Sequence, residues 1–192
     1  MNKDNLHLET ILAHLSDFGD VRDIYGASHM PIYQTATFDL KKQGENPYDY
    51  TRSGNPTRES LENSLAKVCG GKGVILTHTG IGAVALLFES ILNYGDSILI
   101  DRDTYGGTFR LLKNYRERMA VNLVFTDLTN HLEVEKLLKN GNIKMILMES
   151  PTNPGLKIID IKEIGQLSKK YGTILAVDNS LATFASQKPL EL

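Results

Sequence analysis

The sequence predicts an α/β protein in which a mostly parallel sheet carries helices on both faces. Two observations lead to this fold class. From residue 56 onward, short apolar runs alternate with segments whose apolar residues recur at helical spacing. The short runs are continuously apolar instead of alternating in polarity, which is typical of strands that are buried on both faces of a parallel sheet.

The individual elements follow from their periodicity and from their end signals. Asn55 is a good N-cap, Pro56 suits a first helical position and Gly70 can end the helix. Helices are expected at 56–69, 81–92, 108–118, 132–138 and 161–171. Strands are expected at 73–77, 97–101, 121–125, 144–149 and 173–178.

The first part of the chain has a different texture. Leu8, Ile11, Leu12 and Leu15 lie at helical spacing and predict one short helix. A loop rich in Gly, Pro, Tyr and Asn then runs from 19 to 56, and loops of this length tend to be functional. We therefore divide the chain into an irregular segment, 1–56, and a sheet-forming domain, 57–192.

Composition excludes several classes of function. The 192 residues carry a formal net charge of −2, which does not favour a nucleic-acid or anionic-membrane partner. The N-terminus lacks an apolar signal region, and the longest apolar stretch, 81–88, is too short to span a bilayer. A single cysteine, Cys69, precludes an internal disulfide. A cytoplasmic location is expected.

Ligands of parallel α/β sheets bind at the carboxyl ends of the strands, so the residues after each predicted strand are the first candidates for a site. The segment 77–82 contains two glycines ahead of a helix, and a helix N-terminus favours an anion such as phosphate. It matches neither a Walker loop nor a clean dinucleotide fingerprint. Thr79 could equally be there to cap the helix.

Three further strand-end or loop features are open to two interpretations each. Tyr105 could stack on a flat ligand or be an ordinary loop residue. Asn153, between two prolines, could be aimed at a ligand or simply belong to a turn. Tyr50 and Arg52 could clamp a phosphate or form a turn before a helix cap.

Asp178 ends the last predicted strand and could be a metal ligand, a ribose anchor, a partner for a ring nitrogen or a turn cap. No neighbouring His or Cys at ligand spacing supports a metal. Taken together, a phosphate cradle, a stacking ring, an amide and a carboxylate suit a phosphorylated aromatic cofactor.

Four motifs in order carry a family resemblance: YTRSGNPT at 50–57, YGGT at 105–108, ESPTNP at 149–154 and VDN at 177–179. They closely resemble the Cys/Met-metabolism family of pyridoxal 5′-phosphate (PLP) enzymes. This family includes cystathionine γ-synthase, cystathionine γ- and β-lyases, methionine γ-lyase and the homoserine sulfhydrylases. The resemblance implies the large domain of an aspartate aminotransferase-like, PLP-dependent transferase fold.

The resemblance also implies roles for individual residues. Gly80 and Ile81 would donate backbone N–H groups to the cofactor phosphate, and Tyr105 would stack on the ring and assist proton transfer as the one catalytic residue. Asn153 would bind the phenolic oxygen of the ring. Asp178 would pair with the ring nitrogen and keep it protonated, because a nearby opposite charge favours the charged form. No metal is implied.

The same resemblance implies an assembly and a substrate class. Tyr50 and Arg52 would reach the phosphate in a neighbouring subunit, so a homo-oligomer is expected, with a dimer of dimers as the family habit. The substrate would be cystathionine, an activated homoserine or a related sulfur amino acid, transformed by elimination or replacement. Gly107 stands where methionine γ-lyases tend to carry cysteine, which weighs against that activity.

One departure from the family concerns the lysine that holds the cofactor covalently, which would lie beyond Leu192. Lys188 comes too early and precedes Pro189. The isolated chain is therefore expected to be inactive. Two alternatives stay open: a non-catalytic remnant that retains the cofactor cradle, and a doubly wound nucleotide binder, which the missing glycine fingerprint disfavours.

Overall fold

A computed structural model of the protein describes residues 7–13, 23–40 and 46–192. The chain forms two compact units, Met1–Leu76 and Thr77–Leu192. The prediction that 1–56 is an arm serving a neighbouring subunit stays a prediction. Among the residues that the structure describes, no helix is long and apolar enough to cross a membrane.

The first unit contains helix α1 (Leu8–Ala13) and helix α2 (Pro56–Cys69). Leu15, part of the predicted first helix, lies outside the described residues. The cap signals of α2 are confirmed: the Asn55 side chain accepts a hydrogen bond from the Thr57 N–H, and Gly70 ends the helix at a φ of 68°. A positive φ of this kind favours glycine.

The second unit contains the remaining elements. The helices are α3 (Gly80–Ile91), α4 (Gly106–Met119), α5 (His131–Asn140), α6 (Ile161–Tyr171) and the short α7 (Thr183–Ser186), followed by a 3₁₀ turn at Pro189–Glu191. The strands are β1 (Ser97–Asp101), β2 (Asn122–Thr126), β3 (Ile143–Glu149) and β4 (Ile174–Asp178).

The four strands form one sheet in the order β2-β1-β3-β4, and every pairing is parallel. The predicted parallel sheet is confirmed. Because all strands run the same way, their carboxyl ends meet at one edge. The register aligns Asp101 with Thr126 and Glu149 with Asp178 there.

Two apolar cores, one on each face of the sheet, confirm the expected helices on both faces. On one face Leu99 and Ile146 belong to a cluster with Val134 of α5 and Ile164 of α6. The other face buries a second cluster, which contains Phe88 of α3, Leu112 and Tyr115 of α4, and the strand residues Ile98, Ile100, Met145 and Leu147. The strands are therefore covered on both sides, as their continuous apolar runs indicated.

The predicted strand at 73–77 is wrong. These residues form no ladder with any part of the chain that the structure describes, and Ile75 is exposed. The Leu76 N–H donates to the Glu62 carboxylate at 2.9 Å instead of to a strand. A β-branched run gives strand propensity, but a strand also needs a partner, which local sequence cannot supply.

Candidate cofactor site

A cavity of about 590 Å³ opens at the carboxyl edge of the sheet in the second unit. It lies where parallel α/β sheets bind their ligands. The lining combines the start of α3, the loops after β1 and β3, and the end of β4. Its residues are Thr79, Gly80, Ile81, Val84, Tyr105, Thr108, Glu149, Pro151, Asn153, Asp178, Ser180 and Leu181.

The start of α3 presents two unused donors to this cavity. The Thr79 side chain caps the helix by accepting the Gly82 N–H at 2.9 Å, and the Thr79 carbonyl accepts the Ala83 N–H. None of the described residues accepts a hydrogen bond from the N–H of Gly80 or Ile81. The capping and anion-binding interpretations of Thr79 are therefore compatible, because the cap leaves the first two N–H groups for a ligand.

Tyr105 lies at the start of α4, and its ring lines the cavity with 42% of the residue exposed. A Cβ added at Gly107 would come within 2.5 Å of the Tyr105 ring and 3.0 Å of the Ile81 side chain. Glycine at position 107 therefore leaves room for the observed ring position.

The loop after β3 is attached to the loop after β1 through Asp103. The Asp103 carboxylate accepts hydrogen bonds from the Thr152 hydroxyl and from the Gly155 N–H at 3.1 Å. A Cβ at Gly155 would come within 2.1 Å of this carboxylate, so only glycine allows the close approach. The Ser150–Pro151 and Asn153–Pro154 peptide bonds are cis, and Asn153 lines the cavity.

Asp178 ends β4 and is partly ordered by its own turn. Its Oδ1 accepts the Ser180 N–H at 3.0 Å and the Ser180 hydroxyl at 2.6 Å. No described residue donates to Oδ2. Asp178 therefore does cap its own turn, and one carboxylate oxygen stays available for a ligand in the cavity.

Glu149, next to Asp178 in the sheet, is a buried carboxylate that sequence inspection gave no role. Its two oxygens accept the backbone N–H groups of Tyr105 and Asn153 at 2.7 and 3.3 Å. Burial raises the pKa of Glu149 above its usual value, the charges of Asp178 and Asp103 add to the increase, and the two N–H groups oppose it.

A second acidic cluster lies beside the site, between the ends of β1 and β2. The Lys157 ammonium donates to both oxygens of buried Asp101 at 2.7 and 2.8 Å and to Asp127 at 3.0 Å. Burial lowers the pKa of Lys157, but its hydrogen bonds to the two carboxylates outweigh burial and raise it. The Lys157 side chain is thus a charged structural cation, and no local sequence motif indicates this role.

The structure brings five of the seven predicted cofactor-binding residues into one cavity: Gly80, Ile81, Tyr105, Asn153 and Asp178. Tyr50 and Arg52 belong to the first unit, where the Arg52 guanidinium lies 4.8 Å from the centre of the Tyr50 ring. Their predicted service to a neighbouring subunit, and the individual roles of all seven residues, stay predictions.

The lining fits a phosphorylated pyridine ring. Two free N–H groups at a helix N-terminus suit the phosphate, an exposed aromatic face suits the ring, and an available carboxylate oxygen suits a protonated ring nitrogen. The described residues contain no group of three His, Cys, Asp or Glu side chains that could hold a metal ion. The fold and the cavity define a class of protein that binds a phosphorylated aromatic cofactor at the edge of a parallel sheet.

Comparison with known proteins specifies this class. The model of the family described as Cys/Met metabolism PLP-dependent enzyme matches residues 9–192. The chain belongs to this family, and its cofactor is pyridoxal 5′-phosphate.

Individual relatives agree with the family assignment. Cystathionine beta-lyase of Bacillus subtilis is 39% identical over 196 residues, covering all of this chain and 48% of the relative. L-methionine gamma-lyase of Fusobacterium nucleatum is 38% identical over 91% of this chain and 46% of its own. The crystal structure of cystathionine gamma-lyase from Lactobacillus plantarum in complex with L-serine superposes with a TM-score of 0.86 at 34% identity, over 94% of this chain and 47% of that one. The chain spans about half the length of the curated relatives it matches.

Proposed function

We propose that this chain provides the cofactor-binding half of a PLP-dependent enzyme that acts on cystathionine, an activated homoserine or a related sulfur amino acid by elimination or replacement. The observation that carries the proposal is the meeting of two free N–H groups of α3 with the strand-end carboxylate of Asp178 in one cavity. The relatives named as cystathionine and methionine lyases support the substrate class.

Each cavity residue has a role at a particular part of the cofactor. The N–H groups of Gly80 and Ile81 bind the phosphate, and the favourable end of the α3 dipole adds to that binding. The Tyr105 ring stacks on the pyridine and assists proton transfer, and the Asn153 amide donates to the phenolic oxygen. When bound, the cofactor supplies an electron sink for the negative charge that develops as the substrate loses its α-proton.

Asp178 keeps that electron sink effective. Its Oδ1 is held by Ser180, so the orientation of the carboxylate is set before the cofactor binds. Its Oδ2 accepts the N–H of the ring nitrogen, and the negative charge favours the protonated ring. A neutral side chain at this position would bind the ring without holding the proton as firmly.

The 192-residue chain by itself is proposed to bind the cofactor without covalent attachment and without turnover. Imine formation needs a lysine that can lose its proton. Lys157 does not meet this requirement, since two carboxylates hold its ammonium and raise its pKa. Lys188 pairs with Glu191 in the terminal 3₁₀ turn.

Equilibrium titration of the chain with PLP tests the proposal. We expect saturable binding, and Asp178→Ala should weaken it by about 10- to 100-fold, the value of a lost charged hydrogen bond. Glu117→Gln, an exposed acidic change on α4, is the matched control and should bind as the wild type does. Wild-type-like binding by Asp178→Ala would remove this cavity from consideration.

Tyr105→Ala provides the corresponding test of ring stacking. It should weaken binding by about 3- to 10-fold, in line with the value of an aromatic pair. Tyr94→Ala removes a tyrosine that is 78% exposed and lines no part of the cavity, so binding should not change. Equal effects of the two substitutions would contradict the assigned stacking role.

Borohydride reduction followed by mass analysis tests the non-covalent part. We expect no cofactor on any lysine of the isolated chain. Stoichiometric attachment to one lysine would contradict the proposed non-covalent binding. The alternative that the chain is a non-catalytic remnant predicts the same result in this experiment. An activity assay with cystathionine and an activated homoserine, on the protein from its source organism, distinguishes the two hypotheses.

We also propose that Tyr50 and Arg52 complete the phosphate site of a neighbouring subunit in a homo-oligomer. Mixing two defective variants tests this. Arg52→Ala lacks the contributing arginine but keeps its cavity, whereas Asp178→Ala keeps the arginine but loses its cavity. Each variant alone should bind PLP weakly, and mixed oligomers should regain tight sites. No regain on mixing, with oligomers shown to exchange subunits, would refute the shared site.

A further inference from the structure

Glu149 occupies the centre of the carboxyl edge of the sheet without a counter-ion. It is 6% exposed, and among the residues that the structure describes no Lys, Arg or His side chain pairs with it. Asp178 is its register neighbour on β4, and the Asp103 charge is also close enough to raise its pKa. Burying an unpaired carboxylate near two others is unfavourable, so its presence calls for a compensating role.

The contacts of Glu149 join the two loops that carry cofactor-binding side chains. Oε1 accepts the Tyr105 N–H at 2.7 Å, across 44 positions of sequence, and Oε2 accepts the Asn153 N–H at 3.3 Å. Tyr105 is the residue from which α4 starts, and its side chain makes no capping hydrogen bond. The Glu149 carboxylate therefore fixes the backbone from which the stacking ring projects.

The Asp103 contacts show that Glu149 is not needed merely to keep these loops attached. Asp103 ties Thr152 and Gly155 to the loop after β1, and it does not line the cavity. The loops therefore stay connected if the Glu149 contacts are lost. What Glu149 adds is an acceptor for the N–H of the residue that carries the ring and for the N–H of the residue that carries the amide.

We propose that Glu149 is a positioning residue of the cofactor site, whose carboxylate holds the Tyr105 backbone so that the ring lies in register with the pyridine of PLP, with a weaker hold on Asn153. The inference rests on the proposed function. Glu149 then acts on the cofactor through Tyr105, and it does not bind the phosphate itself.

The test is a double-mutant cycle on the 192-residue chain, with PLP and pyridoxal as probes. Glu149→Gln keeps the size of the side chain but leaves one N–H facing an amide NH₂ group, so affinity for PLP should fall by about fivefold. The affinity for pyridoxal, which lacks the phosphate, should fall by the same factor. In a Tyr105→Ala background, Glu149→Gln should have at most about a twofold effect.

A matched control is available in Glu89→Gln. Glu89 also accepts a short hydrogen bond, from the Tyr115 hydroxyl at 2.6 Å, but it lies on α3 away from the cavity lining. This variant should bind PLP like the wild type. The induced circular dichroism of the bound cofactor gives an independent readout, because it depends on ring orientation: Glu149→Gln should change it at saturation, and Glu89→Gln should not.

The outcomes separate this inference from the proposed function. Absence of PLP binding by the wild-type chain would overturn both. Normal wild-type binding with an unchanged Glu149→Gln variant would overturn only the inference. Additive effects of Glu149→Gln and Tyr105→Ala would also overturn it, because a general loosening of the fold would not depend on the Tyr105 ring.

Discussion

Two neighbouring strands, β1 and β3, both end in a buried acidic residue, and the two carboxylates differ in their hydrogen-bond partners. Asp101 at the end of β1 is fully buried and is paired with the Lys157 ammonium. Glu149 at the end of β3 is almost as buried, but among the described residues its oxygens accept only backbone N–H groups, and its side chain borders the cavity. One carboxylate is neutralised and the other is not.

We propose that this difference separates a structural part of the sheet edge from the part that binds the cofactor. The cluster of Lys157, Asp101 and Asp127 joins the loops after β1 and β2, and both oxygens of buried Asp101 accept a hydrogen bond from the Lys157 ammonium. On the cavity side, no described cation pairs with the carboxylates of Glu149 and Asp178, an arrangement that favours binding of a ligand with a protonated ring. Charge pairing at the ends of β1 and β2 therefore stabilises the loops beside the cavity that is proposed to bind the cofactor.

The largest expected effect is on stability, from Lys157→Met. Removing the ammonium leaves Asp101 buried and uncompensated, which should lower the free energy of unfolding by about 3 kcal/mol, the lower end for a broken buried pair, because Lys157 is partly exposed. Urea unfolding measures this. Lys136→Met, which removes an exposed pair with Glu133, should change the free energy by less than about 0.5 kcal/mol. Equal effects would eliminate the distinction drawn between the two acids.

The next effect is on binding, from Gly80→Pro. Proline is well tolerated at a first helical position, and the extended Thr79 (φ −148°, ψ 153°) is compatible with a following proline. The substitution removes one N–H donor, so PLP affinity should fall by about 10-fold while stability changes little.

Two controls show whether that loss concerns the phosphate. Gly80→Ala keeps the N–H, and a Cβ there meets no protein atom within 4 Å, so this variant should lose less PLP affinity than Gly80→Pro. Pyridoxal affinity should be the same for Gly80→Pro and the wild type. A matching loss with pyridoxal would mean that the α3 terminus does not bind the phosphate.

The sequence allowed the helices and the site to be predicted where the signals are local. The cap at Asn55, the glycine that ends α2, and the apolar strand runs are all encoded within a few residues. Gly80, Ile81, Tyr105, Asn153 and Asp178 could be selected because parallel strands place their carboxyl ends together.

Interactions across long stretches of sequence could not be predicted in this way. Glu149 contacts Tyr105 across 44 positions and Lys157 contacts Asp101 across 56, with no local pattern to indicate either pairing. The wrong strand at 73–77 has the same origin, since its propensity was evident but its lack of a partner was not. Helix α4 also starts at Gly106, two residues before the predicted start and despite two glycines, and the Tyr105 carbonyl accepts a hydrogen bond from the Phe109 N–H.

A smaller effect on binding is expected from Gly107→Ala. The new methyl group would lie where the Tyr105 ring now approaches within 2.5 Å, so the ring must move away. PLP affinity should fall about threefold, less than the loss from complete removal of the ring. Stability should not fall in parallel, because alanine is the better helix residue by about 0.5–1 kcal/mol. A simultaneous loss of stability and affinity would indicate general misfolding of α4.

The smallest effect concerns acid. A hydrogen bond from the Thr129 hydroxyl, together with those from Lys157 and the Thr129 N–H, lowers the pKa of Asp127 from 3.8 to about 2. A lowered carboxyl pKa adds stability above its unfolded value, and this contribution is lost as the pH falls through the folded value. Asp127→Asn should therefore show a shallower loss of stability between about pH 3.8 and pH 2. An unchanged slope in Asp127→Asn would refute this contribution.

Amide hydrogen exchange of the chain with and without saturating PLP tests the central claim most directly. Protection should appear at 79–82, 105–108, 149–153 and 178–181, the four segments that the carboxyl edge of the sheet brings to one cavity. The ion-paired loop around Asp127 should exchange equally in both states. Protection of other segments alone, or no change on addition of PLP, would contradict the assignment of this cavity as the cofactor site.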